Sequence, residues 1–287
     1  MDIKFDNRPV VLSHIPTEVD PLYSSKEDYE QRLIQARKEL SQLQTQLVER
    51  PSHGVLVIFQ AMDAAGKDGT IQAVFQGIHP MGLRFISFKR PSETELRHDF
   101  MWRCVLESPE RGQLVVFNRS YYEEVLVVRV HKDKILPSQG LPPSPSGEAL
   151  WQKRYEAIRQ WEDYMTWNGF KIIKFFLHVS KKEQGKRLID RLTDPSKHFK
   201  FQPGDLEERD KWDTYQLAYQ EMLQHTSTEV NPWHIIPADD KRTMRLMVVD
   251  RLLHELKGIV PNHEPKPAFT QEQIEEWICR IEDQNKK

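Results

Sequence analysis

The sequence predicts an α/β domain on a doubly wound parallel sheet of about five strands. Short apolar runs alternate with longer helical stretches, and most runs are near-continuous in Val, Ile, Leu and Phe. That composition suits strands buried on both faces of a parallel sheet. A small-residue turn containing Gly-Lys directly follows the first run. In such a fold the ligand sits at the carboxyl ends of the strands.

Residues 1–23 read as irregular, with Pro9, Pro16 and Pro21. Ser24 and Glu27 have capping-box spacing and open a long helix in which Tyr29, Leu33, Ala36, Leu40, Leu43 and Leu47 share one face. That face packs on this chain or, alternatively, on a second copy. Strands are expected at 54–59, 83–88, 113–117, 171–179 and 234–236, and helices near 69–77, 92–106, 120–131, 148–168, 181–192, 205–225 and 240–257. The Pro-, Gly- and Ser-rich stretch 136–147 reads as a surface connection. A second such stretch, Pro261 to Pro267, precedes a last helix that Thr270 and Gln273 cap. The expected organisation is an N-terminal segment and long helix (1–50), a core (51–259) and a C-terminal tail (260–287).

Composition excludes several classes of function. The 287 residues carry 41 Lys plus Arg against 43 Asp plus Glu, a net charge of −2, so nothing global points to nucleic acid. No run approaches the ~18 apolar residues of a spanning helix, and the start MDIKFDNRPV lacks a signal-peptide core. A cytoplasmic protein without a membrane partner is expected. Cys104 and Cys279 lie far apart and outside any CxxC or Cys/His cluster, so neither a disulfide framework nor a zinc site of familiar spacing is expected.

The turn after the first strand reads Asp63, Ala64, Ala65, Gly66, Lys67, Asp68, Gly69, Thr70, and a helix follows. Strand, small-residue turn, Gly-Lys and helix form the plan of a phosphate loop, in which backbone N–H groups face an anion and the lysine reaches its outer phosphates. The pattern departs from GxxxxGK[ST] at both ends, with Ala61 for glycine and Asp68 for the metal-binding hydroxyl. The alternative is an ordinary turn with a solvent-facing lysine. A carboxylate inside a polyanion site is repelled unless a divalent cation stands between, so Asp63 reads as a Mg²⁺ ligand. Its alternative role is a turn cap.

The third strand ends in Asn118, where many phosphate-loop enzymes carry a metal-shell aspartate. Asparagine still reaches a metal-bound water through its carbonyl. Arg119 reads as a phosphate clamp or a structural ion pair. Glu123 either returns the missing negative charge to the metal or stands in a helix first turn that favours acids.

MDAAGKDGT at 62–70, SFKRPSE at 87–93, FNRSYYEEVLVVRVH at 117–131 and the basic stretch after His178 together resemble the family-2 polyphosphate kinases, from about Tyr29 to Lys257. The resemblance implies a thymidylate-kinase-like phosphate-loop kinase with a mobile helical lid. It also implies Mg-dependent phosphoryl transfer between inorganic polyphosphate and nucleotides. It gives functional roles to Asp63, Lys67 and Arg119, and Asn118 with Glu123 resembles the branch that accepts nucleoside mono- and diphosphates. A homo-oligomer is expected.

Residues 181–200 hold seven Lys or Arg against three acids, and 205–213 reverse the sign with five acids. This region, 181–213, reads as the lid. Ser180 and Glu183 cap its first helix, and Arg187 and Arg191, spaced i and i+4, could grip successive phosphates; the alternative is a solvated face. Lys89, Arg90 and Arg129 could extend the track. The competing functions are an ATP-dependent nucleoside monophosphate kinase, a nucleic-acid-binding module and a non-catalytic nucleotide sensor.

Overall fold

The computed structural model describes residues 11–260 and 269–286. Its strands are β1 (Gly54–Ala61), β2 (Leu83–Ser87), β3 (Leu114–Asn118), β4 (Phe170–His178) and β5 (Trp233–Pro237). They form one all-parallel sheet in the order β2-β3-β1-β4-β5. The helices are α1 (Lys26–Glu49), α2 (Lys67–Phe75), α3 (Trp102–Val105), α4 (Val127–Val130), α5 (Lys132–Ile135), α6 (Glu148–Trp167), α7 (Lys181–Thr193), α8 (Gly204–Asp210), α9 (Trp212–Thr226), α10 (Lys241–Lys257) and α11 (Gln271–Asn285).

Burial follows the strand compositions. Every residue of β1 is buried, because β3 and β4 flank it and helices cover both faces. Edge strand β2 is only partly covered, with Phe85 exposed. The chain leaves β1 towards β2 and leaves β3 towards β4, so the connections diverge between the two neighbours β1 and β3. Their carboxyl ends, where Phe59 is level with Asn118, mark the ligand crevice.

The apolar face of α1 packs on α10 of the same chain, burying Tyr29, Leu33, Ala36, Leu40 and Leu47. This settles the alternative in favour of the intramolecular contact. Its cap lies one residue later than expected: the Ser25 hydroxyl accepts from the Asp28 N–H at 3.1 Å, while the Ser24 N–H donates to the Asp28 carboxylate at 2.8 Å. Thr270 and Gln273 do form the expected capping box.

Three expected helices are broken. Residues 92–106 contain only a 3₁₀ turn at Glu95–Arg97 and the short α3, because His98 is extended and Asp99 restarts the chain by accepting from the Met101 N–H. The 120–131 stretch is a 3₁₀ helix, Tyr121–Val125, followed by α4, with Leu126 outside helical geometry. The 205–225 stretch divides at Lys211 into α8 and α9. Of the Pro-rich tail connection, residues 261–268 lie outside the described residues.

Of the irregular stretch 1–23, residues 1–10 lie outside the described residues, and the remainder is a strap. The Leu12 N–H donates to Gln220, Thr17 exchanges two 3.0 Å hydrogen bonds with Asp239, and the Tyr23 hydroxyl donates to Asp240 at 3.3 Å. It therefore ties α9 to the start of α10.

Candidate active site

The loop after β1 owes its shape to two positive backbone angles, φ +59° at Ala64 and +100° at Gly66. Gly66 is the N-cap of α2 and supplies no side-chain cap, so the first N–H groups of α2 are left for an anion. The carbonyls of the loop are turned away by α7. Gln184 donates to the Asp63 carbonyl at 3.0 Å, and Arg187 donates to those of Ala64 and Ala65 at 3.2 and 2.7 Å.

This corrects the expectation for Arg187. All five of its N–H donors are used: the others go to the Ala238 and Asp239 carbonyls and to the Glu183 carboxylate. It is buried and shapes the loop, with no donor left for a phosphate chain. Arg191 is engaged only through Nη1, which donates to the Lys200 carbonyl and Asp205 and folds the segment after α7 back on the helix; its Nε and Nη2 make no hydrogen bond among the described residues. Arg129 is held by Glu148, Glu221 and the Tyr155 hydroxyl and lies over the Trp151 ring. The Thr70 hydroxyl is buried and returns to the Gly66 carbonyl at 2.9 Å, so it does not face the anion side. Lys89 and Arg90 are exposed just beyond β2, and the Phe88 N–H donates to the Asn118 carbonyl, which places them beside the crevice.

At the crevice, Arg119 stands in the left-handed region (φ +66°) between two acids. It donates to Asp63 Oδ1 at 3.2 Å and to Glu123 Oε2 at 3.3 Å. Glu123, and after it Asp63, raises the Arg119 pKa against the effect of burial. Gln60, fully buried at the end of β1, places its amide against the other Glu123 oxygen, Oε1, at 3.0 Å. Asp63 and Glu123 thus flank Arg119 on either side. Arg119 intervenes, both Glu123 oxygens are taken, and among the described residues no cluster of three His, Cys, Asp or Glu could hold a metal.

The donors do fit a cation that takes most of its oxygens from phosphates and water. Asn118 donates to Asp68 at 2.6 Å, leaving its carbonyl oxygen Oδ1 buried and unpartnered at the strand end. Asp63 commits only one oxygen to Arg119. Lys67, in the first turn of α2, makes no hydrogen bond or ion pair among the described residues. Burial and then Arg119 lower its pKa, opposed by Asp63, Glu123 and Asp68.

Behind the crevice a buried network fixes the segment after Arg119. The hydroxyls of Tyr121 and Tyr122 both donate to Glu162, at 2.8 and 2.7 Å, and Glu162 pairs with Lys174 at 2.6 Å. Lys174 also donates to the Tyr122 hydroxyl and the Thr226 carbonyl. Arg209 of α8 donates to Gln184 and to the Lys181 carbonyl, and Glu208 joins His131 to the Tyr215 hydroxyl.

Sequence reasoning missed Gln60, Gln184 and Arg209. An amide ending the otherwise apolar run GVLVIFQA was the available signal for Gln60; nothing local distinguished Gln184 or Arg209 from a solvated helix face.

Comparison with known proteins agrees with this arrangement. The family model described as Polyphosphate kinase 2 matches residues 23–264. An ADP-polyphosphate phosphotransferase of Rhodopseudomonas palustris is 48% identical over 272 residues, 94% of each chain. An AMP/ADP-polyphosphate phosphotransferase of Meiothermus ruber is 42% identical over 259 residues, 90% of this chain and 92% of that one. The crystal structure of polyphosphate kinase 2 from Arthrobacter aurescens TC1 superposes with a TM-score of 0.85 at 37% identity, covering 94% of this chain and 93% of that one. With its phosphate loop, the Asp63–Arg119–Glu123 cluster and a match over most of its length, the chain belongs to the polyphosphate kinase 2 family.

Proposed function

We propose that the protein transfers a phosphoryl group between inorganic polyphosphate and nucleotides, taking AMP to ADP and ADP to ATP. The observation that carries this reading is Lys67, without a protein partner among the described residues, opposite an Arg119 braced by two carboxylates at the β1/β3 crevice.

A terminal phosphate oxygen of the nucleotide attacks the end phosphorus of polyphosphate. The bond from that phosphorus to the next bridging oxygen breaks, leaving polyphosphate shorter by one unit. Lys67 and the first N–H groups of α2 hold phosphate oxygens, and the Arg187 and Gln184 contacts keep the loop carbonyls away from them. Arg119, aimed by Glu123 and Asp63, compensates charge on the phosphoryl in transit. Asp63 and the Asn118 carbonyl are the groups that would hold Mg²⁺, which would neutralise charge on the phosphates. Lys89, exposed beside the crevice, offers a further phosphate contact. Positioning and charge account for most of the rate.

This reading keeps 51–259 as the catalytic core with the lid at 181–213, and 1–50 and 260–287 as flanking parts. It takes the protein as a cytoplasmic homo-oligomer with no nucleic-acid or membrane partner; among the described residues no helix is long and apolar enough to cross a membrane. The test is to incubate the protein with Mg²⁺, long-chain polyphosphate and AMP or ADP and to chromatograph the nucleotides. Formation of ADP and ATP with no other donor supports the reading. Phosphorylation of AMP only when ATP is supplied would replace it with a nucleoside monophosphate kinase.

A further inference from the structure

Tyr219 on α9 is a nearly buried phenol, 4% exposed, whose position follows from the sheet. Its ring stacks on Phe176, with centroids 4.6 Å apart and planes at 28°. Phe176 is level with Gln60 across the β1–β4 pair, and Gln60 is the residue that meets Glu123. α9 also packs against the Tyr121–Val125 turn that carries Glu123. The phenol is thus directed to the side of the crevice where Asp63, Arg119 and Glu123 meet, and these are the charges that act on it.

Its hydroxyl makes no hydrogen bond among the described residues, yet it is not one of the sealed interior atoms left unpartnered. The little surface Tyr219 retains therefore includes the hydroxyl. Tyr215, one turn earlier on the same helix, has its hydroxyl paired with Glu208. The hydroxyl is therefore open on the crevice side, free to donate to water or to an acceptor that a ligand brings.

We propose that the Tyr219 hydroxyl is a catalytic hydrogen-bond donor to a non-bridging oxygen of the phosphoryl group as it passes between polyphosphate and nucleotide. This rests on the phosphotransfer reading above. The position suits the role: the ring comes from α9 onto the sheet face where Gln60 meets Glu123, and Glu123 and Asp63 are the acids that act on the phenol. Burial and these two carboxylates hold the phenol proton well above its ordinary range, so it donates and does not add a negative charge. A preplaced donor of this kind contributes where charge develops and needs no reorganisation.

The test compares wild type with Tyr219→Phe, which keeps the ring stacked on Phe176 and removes only the hydroxyl. Initial rates of ATP formation from ADP, Mg²⁺ and polyphosphate are measured with both substrates varied. The expected result is a fall in kcat of at least about tenfold, with KM values for both substrates within about threefold and an unchanged melting temperature. In wild type labelled with fluorotyrosine, the ¹⁹F resonance that vanishes in Tyr219→Phe is expected to shift on adding polyphosphate. A Tyr219→Phe kcat within about threefold of wild type, or a Tyr219 resonance indifferent to saturating polyphosphate and ADP, overturns the assignment. A wild type that transfers no phosphoryl group from polyphosphate would instead overturn the underlying function.

Discussion

Arg187 and Ala65 are joined by a 2.7 Å hydrogen bond from an α7 guanidinium to a carbonyl of the loop after β1, across 122 residues of sequence. The same side chain reaches the Ala238 and Asp239 carbonyls beyond β5. Substitution by Lys keeps one charge but offers three donors in place of five. Arg187→Lys is expected to reduce phosphotransfer and also to lower the melting temperature by about 5 °C or more, as loss of a buried, fully paired cation network implies. Replacing the exposed Lys181 and Lys182 together should change neither much. Calorimetry beside initial rates checks this: an inactive Arg187→Lys with a wild-type melting temperature would return Arg187 to direct phosphate contact.

Lys67→Ala should abolish turnover, by on the order of 10² or more, with the fold intact. The lowered pKa of Lys67 adds a pH signature. A base whose pKa is lowered loses its charge earlier as pH rises, so polyphosphate affinity should decline below the ordinary lysine range near ~10.4. Lys67→Arg keeps the charge and should carry that alkaline limb upward. Titration calorimetry across pH measures it, and a limb unmoved in Lys67→Arg belongs to another group.

Asp63→Asn removes the charge assigned to Mg²⁺ and weakens one brace of Arg119. Activity titrated against Mg²⁺ should respond only at higher concentration or not at all. An unchanged Mg²⁺ curve would reduce Asp63 to partner of Arg119 alone.

Glu162→Gln leaves Lys174 buried with its charge uncompensated and weakens the acceptor for two tyrosines. Breaking such a pair costs about 3–5 kcal/mol. A drop in melting temperature of about 10 °C is expected. A loss under about 1 kcal/mol in denaturant titration would show that the pair is dispensable.

Glu123→Ala frees Arg119 from its stronger electrostatic partner and unpairs the Gln60 amide. AMP brings fewer phosphate contacts than ADP to restore that order, so the AMP step should suffer more. Separate initial rates on AMP and ADP decide this: equal proportional losses, or a wild type inert on AMP, would refute it.

Element type was legible wherever one local pattern dominated. The buried strands are apolar throughout, α1 carries an unbroken stripe, and the Gly66-Lys67 turn announces its anion site between a strand and a helix. Illegible were features decided by partners distant in sequence. Helix 120–131 has adequate propensity, but Glu162 draws Tyr121 and Tyr122 into a 3₁₀ turn. Arg187 and Arg191 have the spacing of a clamp, yet what their donors reach is set by loops more than 100 residues away in one case and by Asp205 in the other. Asp63, Lys67, Arg119, Asn118 and Glu123 do meet at the crevice, whereas the Arg119 interposition that separates the acids follows from a backbone angle no composition reveals.

The N-terminal strap bears on where the gene can be cut. A fragment begun at residue 51, the edge of the recurring strand-helix pattern, would discard Thr17 and Tyr23 together with the α1 face on α10. Asp239 and Asp240 would then lose those contacts, and their carboxylates would keep only the Ser180 and Thr243 N–H groups to hold the loop whose carbonyls Arg187 meets. The minimal catalytic unit thus begins upstream of the strap, and fusion partners are better carried at the other terminus, beyond the solvent-exposed α11.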